Sequence, residues 1–99
     1  MRPIHLADLG KIRPVLVLTR ELVRPHLGRV TVAPITTTIR GLSTEVPVGR
    51  ANGLEAAGVV SCDTIITVPT ATLGRQIGFL FPVQEASLTT AIHAAFDLD

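Results

Sequence analysis

The sequence predicts a small, mainly β domain: a strongly bent sheet or partly open barrel with one C-terminal α-helix. Three observations carry this. Short apolar and β-branched runs recur along the chain, separated by Gly, Pro or Asn turn signals. Only the tail "VQEASLTTAIHAAFDLD" repeats its apolar residues at helical spacing. The 99 residues suffice for one buried core but not for two, so 1–99 reads as a single domain.

Taken in order, Ile4 to Leu9 and Ile12 to Thr19 are expected as antiparallel strands joined by the tight link Gly10-Lys11. "PVLVL" is apolar on both pleat faces, which predicts cover on both sides, by the core on one and by a helix or a partner subunit on the other. Arg20 to Arg29, with Pro25 and Gly28, describes a loop holding at most one helical turn. Val30 to Pro34 is a third strand and Thr44 to Val48 a fourth, and "GRANGLEAAG" is a turn marked by Asn52-Gly53. "GVVSCDTIITV", Gly58 to Val68, is dense in β-branched residues and predicts the longest strand, ended by Pro69. "TATLGR" follows as a helical turn and "QIGFL" as a last short strand. In the helix, Leu88, Ala91, Ile92, Ala95 and Phe96 form the stripe that docks on the sheet.

Composition narrows the function classes. Charged residues make up 17% and hydrophobic residues 46%, more apolar surface than a lone monomer of this size hides with ease, so a homo-oligomer is expected. Charge-free stretches such as Thr64 to Gly74 and Ala86 to Phe96 are far shorter than the ~18 residues of a membrane span. With no secretory signal pattern at the N-terminus, the expectation is a cytoplasmic protein without a membrane segment. A single cysteine, Cys62, excludes an internal disulfide and a cysteine-rich zinc site, and it reads as a small buried hydrophobe. The three histidines and the acids Asp8, Glu21, Glu45, Glu55, Asp63 and Glu85 show no ligand spacing, and phosphate-cradling glycine loops and nucleophile elbows are missing. No metal or other cofactor is expected.

The net charge of +1 does not announce a nucleic-acid binder, but eight of the nine basic residues are arginine, the side chain that grips phosphate in a bidentate way. Two strand ends stand out. Arg13 precedes Pro14, which holds its backbone extended, and Thr36 lies two residues beyond Pro34, so both side chains start from stiffened chain. Thr36, Thr37 and Thr38 form a row of hydroxyls ahead of Arg40-Gly41. Read without further context, that row is explained better by β-propensity and turn hydrogen bonding than by a site.

In order, "KIRPVLVL", "VTVAPITT", "EVPV", "NGL", "GVVSCD" and "LGRQIGFL" resemble a MazF/PemK-type toxin, the endoribonuclease half of a type II toxin–antitoxin pair. The likeness runs over nearly the whole chain. It implies an SH3-like small barrel of the MazF/PemK/CcdB kind, a homodimer, metal-independent cleavage of single-stranded RNA by attack of the substrate's own 2′-hydroxyl, and a cognate MazE-like antitoxin. The catalytic arginine of the family falls on Arg13 and its catalytic threonine on Thr36. The RNA-binding rim then includes Lys11, Thr37, Thr38 and Arg40.

Two departures from the pattern bear on specificity. Many members carry a longer acidic loop between the first two strands, where this chain has only Gly10-Lys11. Where many read Asp-Gln-Ile-Arg-Thr, this chain has Asp63 to Thr67 as DTIIT, losing an amide and a guanidinium that can read base edges. Only Phe79, Phe81 and Phe96 are aromatic, two of them expected in the core, so stacking platforms are scarce. Two other readings remain open at this level: a toxin of the same fold that poisons a protein such as gyrase without cutting RNA, and a barrel that binds RNA without cleavage.

Overall fold

Seven strands and one helix make up the computed structural model, which describes residues 1–21 and 26–98. They are β1 (Pro3–Asp8), β2 (Ile12–Val17), β3 (Arg29–Thr36), β4 (Glu45–Val48), β5 (Gly58–Ser61), β6 (Ile66–Pro69), β7 (Leu73–Phe79) and α1 (Pro82–Ala95). The strands pair in the order β4-β5-β3-β2-β1-β7, with β6 also on β3, and curl into a half-open barrel. Of the loop expected over Arg20 to Arg29, residues 22–25 lie outside the described residues.

β3 organises the sheet. One edge pairs with β2 (Val15↔Pro34, Val17↔Val32), while the other takes β6 at its start (Arg29↔Pro69 to Val32↔Ile66) and β5 at its end (Ile35↔Val60, Thr36↔Val59). The strand expected over Gly58 to Val68 is therefore interrupted. Residues 61–65 face only Ala33 and Pro34, and the surplus is taken up by a 3₁₀ turn at Cys62–Thr64. Pro34 has no N–H to offer either neighbour, which is where a ladder breaks most cheaply. β3 itself runs past Pro34 to Thr36, two residues beyond the expected end, because β5 replaces β2 as its partner there.

Both faces of β2 are buried, as its sequence required: Val15, Leu16 and Val17 are all fully enclosed. Leu16 joins Ile4, Ala33, Val46, Val60, Leu80 and the helix residues Leu88 and Ala91 in the main core. The cover over Val15 and Val17 is neither helix nor partner. The curled sheet supplies it from Ala7, Val30, Val32 and Val68, with Leu9 and Leu73 packed alongside.

Pro82 opens α1 at a position where a missing N–H is harmless, and Arg2 ties the chain start to its first turn through Glu85 at 3.3 Å. Leu88 and Ala91 are buried and Ile92 and Ala95 pack against the core, but Phe96 closes the helix and stays exposed. None of the three phenylalanines is buried: Phe79 and Phe96 are exposed and Phe81 is half-buried, because aliphatic side chains fill the narrow interior. "TATLGR" splits into a 3₁₀ turn at Thr70–Thr72 and the start of β7 at Leu73.

The turn after β4 is locked by one amide pair. Buried Asn52 donates from Nδ2 to Phe79 O (2.9 Å) and Gln84 Oε1 (2.7 Å), and its Oδ1 accepts from Gly49 N (3.0 Å) and Gln84 Nε2 (3.1 Å). Gln84 completes its own set with Phe81 N and Pro47 O. Every hydrogen-bonding position of both amides is filled, so the pair is buried without penalty. The turn sits so close on β7 that a Cβ at Gly53 or Gly78 would overlap the opposite backbone.

Candidate active site

Arg13 and Thr36 come from neighbouring strands with a common register. Three consecutive β2–β3 pairs (Val17↔Val32, Leu16↔Ala33, Val15↔Pro34) point, two residues on, to Arg13 opposite Thr36. Residues opposite one another in an antiparallel pair project to the same face. Arg13 also pairs with Ala7 of β1, so its backbone is held between two strands, and Pro14 stiffens it from the following position.

The two side chains line two adjoining hollows. The larger, about 920 Å³, has Arg13, Pro14 and Thr36 to Thr38 on one wall and Leu54, Glu55, Arg75 and Gln76 on the other. The smaller, about 260 Å³, is lined by Arg13, Thr36, Thr38, Arg40, Glu45 and Asp63. Arg13, Thr36 and Thr38 belong to both, so they form the junction of one continuous groove. Thr37 faces the larger hollow and Arg40 the smaller. Lys11 is exposed in the β1–β2 link and lines neither.

Thr36 is prepared as a donor. Its Oγ1 accepts the backbone N–H of Thr38 at 3.1 Å, which fixes the rotamer and leaves the hydroxyl proton free. Below it, β5 passes so near that a Cβ on Gly58 would stand 2.5 Å from the Thr36 carbonyl oxygen. Gly58 has no ordinary sequence signature of a site residue; only the close approach reveals it. The loop beyond is anchored by Glu45, whose Oε1 accepts from Arg40 N (3.1 Å) and Leu42 N (3.2 Å).

The groove carries more cation than free anion. Arg13 and Arg75 are exposed and make no hydrogen bond or ion pair among the described residues. Of the acids, Glu45 holds the loop and Asp63 accepts from Thr44 Oγ1 at 2.6 Å, whereas the Glu55 carboxylate has no partner among the described residues. Arg75, Gln76 and Glu55 were not singled out by motif, because the sequence does not show that β7 and the 53–56 turn face Arg13. Among the described residues, no three His, Cys, Asp or Glu side chains converge as a metal site would need. Burial pushes the Cys62 thiol above its ordinary range, with nearby Asp63 adding to the effect, so Cys62 is a core residue and not a nucleophile.

Residues 3–96 match the family described as PemK-like, MazF-like toxins of type II toxin–antitoxin systems. The chain belongs to this family. Among curated relatives, endoribonuclease MazF3 of Mycobacterium tuberculosis is 66% identical over 99 residues, covering 100% of this chain and 96% of the relative. A probable endoribonuclease MazF5 from the same species is 37% identical over 94% of this chain and 85% of its own length. Among solved structures, the M. tuberculosis toxin MazF-mt6 superposes with a TM-score of 0.97 at 65% identity, covering 99% of both chains. A mycobacterial endoribonuclease in complex with its cognate antitoxin superposes at 0.86 with 26% identity, covering 98% of this chain and 93% of that one. In this MazF-like toxin the link between β1 and β2 is only Leu9–Lys11.

Proposed function

We propose that this MazF-like toxin is an endoribonuclease that cuts single-stranded RNA at the junction of the two hollows, where Arg13 and Thr36 meet. The observation that carries the reading is that a guanidinium without a partner among the described residues and a pre-set hydroxyl line one open groove. RNA supplies its own nucleophile. As O2′ bonds to phosphorus the 2′-hydroxyl gives its proton to solvent water, the P–O5′ bond breaks, and O5′ leaves with a proton from Arg13, giving a 2′,3′-cyclic phosphate and a 5′-hydroxyl.

The protein's share is positioning and charge. Arg13 stabilises the extra negative charge on the phosphoryl oxygens and protonates O5′, and Thr36 donates its hydroxyl proton to a non-bridging oxygen. Thr37 and Thr38 extend the polar wall, Arg40 meets the backbone of the strand in the smaller hollow, and Lys11 adds attraction from outside the groove. The reaction needs no metal, and RNA is the substrate of a homodimer held in check by a cognate antitoxin. Support for the antitoxin comes from the solved mycobacterial endoribonuclease in complex with its cognate antitoxin. Support for the dimer comes from exposed apolar side chains such as Val83, Ile66 and Phe79.

The test is cleavage of a long RNA in EDTA, followed by growth on expression. The parent protein yields discrete fragments with 5′-hydroxyl ends, and Arg13→Ala or Thr36→Ala abolishes both cleavage and growth arrest while folding normally. A variant that cleaves like the parent removes its residue from the site. Intact RNA with inhibited topoisomerase would favour the protein-poisoning reading instead.

A further inference from the structure

The larger hollow is far roomier than a scissile phosphate requires; its volume of about 920 Å³ is at the top of the ~300–1,000 Å³ range of small-molecule sites. Its second wall, formed by β7 and the turn after Gly53, carries two charged side chains that hold no partner among the described residues: Arg75 and Glu55. We propose that this wall is a recognition subsite for a nucleotide flanking the cut. In it Arg75 grips a neighbouring backbone phosphate, and Glu55 selects a base that presents an amino group. The inference rests on the endoribonuclease reading above.

Position supports the role of Arg75. β2 and β7 flank β1 on opposite sides, Ala7 pairing with Arg13 on one and with Leu73 on the other, so the Arg13 and Leu73 backbones are ~10 Å apart at a strand spacing of ~4.8 Å, and Arg75 follows Leu73 by two residues. Two long guanidinium side chains lining one groove from strands on either side of β1 can hold successive phosphates of one strand. Arg75 is also exposed and has no partner among the described residues, so it gives up no contact with them on binding.

Glu55 needs a different explanation, because a carboxylate beside a phosphate backbone repels it. The side chain accepts hydrogen bonds and cannot donate them when ionised. A splayed base offers its Watson–Crick edge. Cytosine, adenine and guanine each present an amino group there, whereas uracil flanks its one N–H with two carbonyl oxygens that a carboxylate rejects. Glu55 thus gives up some affinity for discrimination against uracil at one position.

Neither residue supports the core, so both variants fold. Binding is read by fluorescence anisotropy on an RNA made uncleavable by a 2′-deoxy substitution at a mapped cut, across a salt series, and specificity by 5′-end mapping. Arg75→Ala weakens binding, lowers the steepness of log K against log salt by about 0.7, and raises KM more than it lowers kcat. Glu55→Gln, whose amide also donates, admits uracil at one fixed position that the parent disfavours by roughly 10- to 100-fold. A parent that cleaves, with an Arg75→Ala salt slope or a Glu55→Gln cut-site profile identical to it, overturns this inference alone. A parent that leaves RNA intact overturns the endoribonuclease reading and this inference with it.

Discussion

Gly58→Ala is the most direct probe of how the fold holds Thr36. The added Cβ would stand 2.5 Å from the Thr36 carbonyl oxygen, which is backbone and cannot rotate away, and 3.6 Å from the Thr37 Cα. That is roughly 1 Å inside comfortable contact, so β3 must move away from β5 at Thr36. A displacement of this size at a reacting group costs on the order of 100-fold in rate, and the strain costs about 2 kcal/mol, or roughly 8–16 °C in Tm for a domain this small. Gly49→Ala is the matched control, since a Cβ there meets only the Ala57 Cα at 4.0 Å. Single-turnover cleavage at saturating RNA and thermal unfolding are measured for both variants. If Gly58→Ala matches Gly49→Ala in rate and Tm, Thr36 is not held by this contact.

Three further outcomes follow from other parts of the molecule. Asn52→Ala strands Gly49 N, Phe79 O and half of the Gln84 amide, so urea denaturation should show a loss of about 2–4 kcal/mol; a loss under 1 kcal/mol would mean that water replaces the pair. The raised Cys62 pKa favours the neutral thiol in the fold, so its contribution is complete at pH values where an exposed thiol stays protonated and is lost as pH rises through the folded value; stability at alkaline pH should fall more steeply for the parent than for Cys62→Ala. Light scattering at micromolar concentration should give twice the chain mass, and Val83→Asp should leave that mass unchanged only if the helix face is outside the interface.

The order and type of elements were legible because each is governed by local pattern. "PVLVL" declared burial on both faces, Asn52-Gly53 declared its turn, and Leu88, Ala91, Ile92 and Ala95 declared the docked side of the helix. What failed were the places where tertiary pairing overrides propensity. "GVVSCDTIITV" has uniform β-propensity, yet it divides because both halves share the same edge of β3 in different registers. Phe96 continues the helical stripe in sequence, but it is the C-cap beyond the last helical residue, Ala95, and its ring stays exposed. Arg13 and Thr36 stood out because neighbouring prolines mark stiff chain. Arg75 and Glu55 carry no such mark, and their common wall exists only once β1 joins β7 on one side to β2 on the other.

Pro34 explains why hydroxyls crowd the end of β3. A proline inside an otherwise regular strand marks where pairing with β2 stops, and without a new partner the chain would loosen there and Thr36 would sit on a mobile loop. β5 prevents this by pairing through Ile35 and Thr36, which it can do only because Gly58, just beyond the paired Val59, leaves room for the Thr36 carbonyl. The threonine therefore has the rigidity of a strand residue and the exposure of a loop residue. Where the strand ends, the Thr38 N–H turns back to the Thr36 hydroxyl, and Glu45 ties down Arg40 and Leu42, so the polar wall is fixed by the backbone and not by the substrate. Stabilising a transient charge on phosphorus requires donors that are already in place, and a strand handed from one partner to another at a proline supplies them beside an open groove.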